Sequence, residues 1–200
     1  MPEPRRIVGI QVGAVSFVDE GVQQVLDIFQ ERASINTLFL SVFTYGRGIA
    51  GRQVPGQPLP DHGKQEYDLD FHGGNYAAVH PQYYKETVLK PEDTRAPDHG
   101  DYDVLASVLP EARKRGMRSV CWAIDKAPPA SLANVTKLQE KDLHGRNSTE
   151  LCFSNPGYLD FWLGLVEDYT RSYDIDGIMW ASERRGPEPT ALSFHENTPR

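Results

Sequence analysis

From Ile35 to Tyr45 the chain reads INTLFLSVFTY, apolar at nearly every position. A strand with one wet face alternates apolar and polar residues. A strand covered on both faces does not, and parallel strands are covered in that way. The stretch therefore predicts a parallel strand buried inside an α/β domain.

Working outward, three more units of the same kind appear. RIVGIQVG, Arg6 to Gly13, is a short apolar run closed by a glycine. The helix predicted after it has Asp19 as a cap and Val22, Val25, Leu26 and Phe29 at i, i+3, i+4 and i+7. Asp103 to Arg115 carries Val104, Leu105, Val108 and Ala112 on one face, although Pro110 should kink it. Gly116 ends that helix, and MRSVCWAID (117–125) is the third strand. After a polar linker from Lys126 to Glu150, Asn155 and Pro156 supply the N-cap and first-turn proline of another helix. Leu159, Trp162, Leu163, Val166, Tyr169 and Tyr173 give it an apolar face. IDGIMW (175–180) is the fourth strand, entered through Asp174 and Asp176, which read as turn and capping residues.

Strands alternating with helices point to a parallel sheet, open or closed into a barrel. QVGAVS (11–16) has neither the dinucleotide nor the Walker glycine pattern, which leaves the barrel ahead. A (β/α)8 TIM-type barrel takes eight units and typically ~250 residues. About four are read here: residues 1–186 as the N-terminal half of a barrel with a long inserted loop at about 46–100, and 187–200 as an irregular tail. Such a chain is either a fragment or a half-barrel that pairs with another copy as a homo-oligomer.

The bulk properties narrow the function classes. The 200 residues carry a formal net charge of -7, which argues against nucleic acid or anionic membrane as partner. No run reaches the roughly 18 apolar residues of a membrane span. The N-terminus lacks the apolar core of a secretory signal, so the cytoplasm is expected, or an exported location if a signal was removed. Cys121 and Cys152 form neither a disulfide framework nor a metal motif.

Barrels of this kind keep their chemistry at the C-terminal ends of the strands. Those positions hold Gln11 and Ser16, Tyr45 and Arg47, Trp122 and Asp125, and Glu183 with Arg184. The long loop adds DFHGGNYAAVHPQYY (70–84), with Asp70, His72, Asn75, Tyr76 and His80. Carboxylates, amides, imidazoles and aromatic faces together suit a carbohydrate, whose hydroxyls and C–H faces use both kinds of contact. Each residue also has a plainer reading. Glu183 beside Arg184 and Arg185 could be half of a surface ion pair worth ~0–1 kcal/mol. Asp125 could begin a turn, and Gly73–Gly74 could make one. His72 and His80 lack tight metal-ligand spacing.

The segment SNPGYLDFWLGLVEDYTRSYDIDGIMW (154–180) resembles one in glycoside-hydrolase-like proteins of the family 10-like group, and more distantly in α-amylase- and α-fucosidase-type barrels. There an Asn-Pro opens a long helix, Tyr-Asp-x-Asp-Gly-Ile leads into strand four, and an acid ends that strand. The loop and the VLPEARKRGM step (108–117) are similar to uncharacterised bacterial members. The resemblance implies a (β/α) barrel glycosidase with no cofactor or metal and a carbohydrate substrate. Glu183 would be its general acid/base and Arg184 would orient it. Asp125 would bind substrate or act as the second carboxylate, and Tyr45, His72, Asn75, Tyr76 and Trp122 would line a sugar subsite. Two features depart from the pattern. Ala181 stands where relatives often have an aspartate, and no strand of a second half is present to supply the partner carboxylate. Two other classes remain open: a metal-dependent sugar isomerase or epimerase using His72, Asp125 and Glu183, and a non-catalytic carbohydrate-binding or assembly module.

Overall fold

The computed structural model describes residues 6–45, 72–124, 135–141 and 144–181. Strand β1 (Gly9–Gly13) leads into helix α1 (Ala14–Glu20), and Gly21 separates it from α2 (Val22–Ala33). Asp19, expected to cap this second helix, instead lies in the last turn of α1, because the run from Ala14 is already helical; Gly21 takes the cap position. Strand β2 (Thr37–Tyr45) follows, then the short β3 (Gly73–Asn75). Gly73 and Gly74 therefore belong to a strand where a turn was expected. Helix α3 (Val104–Lys114) is capped by Asp103, whose carboxylate accepts from the Leu105 and Ala106 amides, and it runs on through Pro110. Strand β4 is Arg118–Ile124.

The described residues of the linker after it form regular elements. A helical turn, α4 (Val135–Leu138), leads into a small antiparallel pair, β5 (Gln139–Lys141) with β6 (Asn147–Leu151). Helix α5 (Pro156–Ser172) starts with Asn155 Oδ1 accepting from the Gly157 amide, and β7 (Gly177–Ala181) closes the described chain.

The main sheet has the order β1-β2-β4-β7, every one of these neighbours parallel, with β3 added antiparallel to the end of β2. Sequential neighbours joined by helical crossovers are the pattern expected of a barrel segment, but among the described residues the sheet is open.

Its two faces differ. Ile10, Val12, Leu38, Leu40, Cys121, Ala123 and Ile178 join one core with residues of α2, α3 and α5. The opposite face, by strand alternation, carries Gln11, Phe39, Val120 and Gly177 in one row and Gly13, Ser41, Trp122 and Met179 in the next. No apolar residue of these two rows belongs to the helix-covered core. A register shift between Ser41 and Phe43 leaves Val42 as the extra residue of a bulge. Past it, Phe43 meets Trp162 of α5, ring centroids 4.9 Å apart. A bulge re-aims side chains in just this way.

Helix α5 also departs from its expected face. The buried side is Tyr158, Phe161, Trp162, Leu165, Asp168 and Tyr169, whereas Leu159 and Leu163 are exposed. Asp174 and Asp176 are structural, as their position before β7 suggests. Arg113 bonds both carboxylates, and Asp176 also accepts from the Ser119 amide at 2.7 Å.

Candidate functional site

Trp122 occupies the C-terminal half of β4, on the sheet face turned away from the helix-covered core. Parallel pairing sets it level with Gly13, Ser41 and Met179, so four strands contribute one residue each to a single row. Trp122 is 8% exposed, and among the described residues its Nε1–H has no hydrogen-bond partner. A buried donor left unmade costs about 1–3 kcal/mol, so such a group calls for an explanation. Trp162 Nε1 is also unpartnered, but its ring stands edge-to-face with Trp180 at 4.2 Å and close to Phe43 and Phe161. In that setting the indole edge finds a π-face. Trp122 has no such ring contact among the described residues. Ser41, 4% exposed, is its neighbour across β2, and Gln11 lies exposed one row back.

The loop residues singled out from sequence do something different. Asn75 is buried, and its Oδ1 accepts from Tyr169 O–H at 2.7 Å and from the Ala77 amide at 2.9 Å. Tyr76 O–H donates to Asp98 at 3.0 Å. Asp98 also accepts from the backbone amides of His72, at 2.6 Å, and Gly73, at 2.8 Å. Burial alone would raise the Asp98 pKa. The two backbone amides and the Tyr76 hydroxyl outweigh it and hold the carboxyl below its ordinary range. The His72 imidazole stays mostly exposed, 3.6 Å from that carboxylate. The structure thus gathers His72 and Tyr76 around Asp98, fastens Asn75 to α5, and leaves Trp122 outside both groups.

Tyr45 ends β2. Glu183, Arg184 and Asp125, like Arg47 and Asp70, lie outside the described residues.

A second polar cluster was not legible as a unit. Asp168, fully buried on α5, accepts from the His80 amide at 3.1 Å, pairs with His80 Nδ1 at 2.6 Å, and accepts from Ser172 Oγ at 2.9 Å. Burial, reinforced by Asp168 at Tyr84 and by Asp103 at Tyr173, pushes the phenols of Tyr84, Tyr169 and Tyr173 up and keeps all three neutral. Tyr173 spends its proton on Asp103 at 2.8 Å, joining the end of α5 to the cap of α3. The signal available in sequence was an acid at 168 in phase with Phe161, Leu165 and Tyr169. A carboxylate on a helix's buried face must have partners.

Cys121 is buried in the sheet, and burial pushes its thiol up to about 12, so it is an inert core residue. Among the described residues no group of three or more His, Cys, Asp or Glu is placed to hold a metal ion. No described helix is long and apolar enough to cross a membrane. A groove of about 500 Å³ opens beside the start of α5, lined in part by Lys85, Lys90 and Lys137. None of the residues of the Trp122 row is among its described lining. Neither a family model, nor a curated protein, nor a solved structure matches this chain.

Proposed function

We propose that this chain forms part of a (β/α) barrel acting on a glycan or glycoside. The observation that carries the reading is the row Gly13–Ser41–Trp122–Met179. It lies across four parallel strands in sequence order, on the face away from the helix-covered core, with a buried indole N–H that lacks an acceptor among the described residues. Trp Nε1 is a donor only, so what satisfies it must be an acceptor such as a sugar oxygen, while the indole face suits sugar C–H surface. In this reading Glu183, just past β7, is the general acid/base, Arg184 orients it, and Asp125, just past β4, binds substrate or serves as the second carboxylate. Carboxyl groups ~5–5.5 Å apart would retain anomeric configuration, and ~6.5–9.5 Å apart would invert it.

The test is calorimetric titration of the protein with a panel of neutral α- and β-linked gluco- and galacto-oligosaccharides. Trp122→Phe keeps an aromatic ring and removes the N–H. At least one sugar should bind the native protein, and Trp122→Phe should weaken that binding about tenfold, the equivalent of one hydrogen bond at ~1.4 kcal/mol per decade. A panel with no binder, or equal affinities in the two proteins, would refute the reading.

A further inference from the structure

The groove of about 500 Å³ lies where residues 85–90 pass the first turn of α5. Its described lining sets Lys85, Lys90 and Lys137 against one carboxylate, Glu86, in a chain whose formal net charge is -7. Lys90 is the fixed member. It is half-buried, and its Nζ donates to the carbonyls of Tyr84, at 3.3 Å, and Lys85, at 3.2 Å. An ammonium has three protons, so one remains to donate. Among the described residues no carboxylate pairs with Lys85 or Lys90, whereas Arg113, Lys114, Arg115 and Arg171 each have one. A partly desolvated cation, held in place without a counter-charge, points to an anion from outside.

The groove also has an apolar side. Val88 is 43% exposed. A methyl group at Gly157 would stand 2.8 Å from Val88 Cγ2 and 3.4 Å from Leu138 Cδ2, so both apolar groups converge on the bare first turn of the helix. The amides of that turn are committed. Gly157 donates to Asn155 Oδ1, and Tyr158 and Leu159 donate to the Asn155 carbonyl. Charge recognition therefore falls to the lysines and not to the helix end. We infer that this groove binds a small organic oxyanion, its phosphate or carboxylate group held by the Lys85 and Lys90 ammoniums and its apolar body against Val88 and Leu138. The volume is that of a small-molecule site, typically ~300–1,000 Å³. The groove shares no described lining residue with the Trp122 row, so it stands or falls independently of the glycan reading.

The test is calorimetric titration at low salt with phenyl phosphate, phenylacetate and neutral benzyl alcohol as probes. At least one of the two anions should bind about tenfold or more tightly than the alcohol, the worth of one charge-assisted contact. Whichever anion binds more tightly tells a phosphate site from a carboxylate site. Lys90→Gln should weaken that anion about tenfold and the exposed Lys85→Gln about threefold. Lys114→Gln, which removes the same charge from α3, should leave it unchanged. Salt raised to ~0.2 M should weaken the anion and not the alcohol. Lys85 is exposed, so circular dichroism should show Lys85→Gln folded, and this variant decides the matter if losing the Lys90 bonds unfolds the chain. No anion binding, equal affinity for anions and alcohol, salt-insensitive binding, undiminished binding in Lys85→Gln, or an equal loss in Lys114→Gln would each overturn the inference.

Discussion

Gly74→Ala is the substitution whose consequence follows most directly from the backbone. Gly74 sits in β3, paired with Thr44 of β2, at φ 134°, a conformation L-residues rarely adopt. A methyl group there would press on the main chain of the next segment, meeting the Thr94 carbonyl and lying 2.9 Å from the Ala96 nitrogen. That segment is held by the Ala96 amide donating to the Asn75 carbonyl at 2.9 Å, so neither side can move without breaking a hydrogen bond. Backbone strain of ~1–3 kcal/mol adds to overpacking of ~1–3 kcal/mol, giving about 4 kcal/mol in all. Gly116→Ala is the control: φ is 67° there, but no atom lies within 4 Å of the added carbon. It should cost only the left-handed penalty of ~1–2 kcal/mol. For a domain of this size each kcal/mol lowers Tm by ~2–4 °C. Scanning calorimetry should therefore show Gly74→Ala melting about 8–16 °C below the native protein and Gly116→Ala about 2–8 °C below it. Equal losses in the two variants would show that the Thr94–Ala96 backbone does not press on β3, and the account of how the long connection is fastened would fail.

Other perturbations address the polar anchors. The Asp98 carboxyl is held below its ordinary range in the folded state, so its contribution is present above the unfolded pKa of ~3.9 and is lost as pH falls through the lower folded value. Denaturant titrations should find native stability falling more steeply than that of Asp98→Asn below about pH 4; parallel acid limbs would contradict this. Asp168→Ala removes the acceptor for the His80 amide, His80 Nδ1 and Ser172 Oγ, and should cost about 3–5 kcal/mol. Hydrogen exchange should then speed at His80 and its neighbours more than in β2 and β4, and a uniform change would argue against a local latch. On the proposed glycosidase reading, Glu183→Gln should abolish hydrolysis while leaving sugar affinity nearly native, measured by single-turnover kinetics and titration; unimpaired turnover would remove Glu183 from the mechanism.

Local chemistry made much of the fold legible in the chain itself. The largely apolar run at β2 and the Asn155–Pro156 helix start depend on residues a few positions apart, and each is found where its pattern puts it. Patterns that needed a distant partner were not legible. Leu159 and Leu163 look like core residues by periodicity, yet α5 is rotated so that Phe161, Leu165 and Asp168 face inward, because Asp168 is met by His80, 88 positions earlier. Asn75 and Tyr76 have the chemistry of sugar ligands, but Tyr169 engages Asn75 Oδ1 and Asp98 engages the Tyr76 hydroxyl.

The sequence by itself determined the alternation of strand and helix, and hence a parallel α/β sheet, since hydrophobic periodicity and capping act within a few residues. Only the tertiary structure decided which side chains share a face. Strand register and the bulge at Val42 set Trp122 level with Ser41 and Met179 on one face and turned Phe43 toward α5 on the other. A one-residue change of register exchanges the faces of a strand, and register is settled by the packing of whole elements, not by neighbours along the chain.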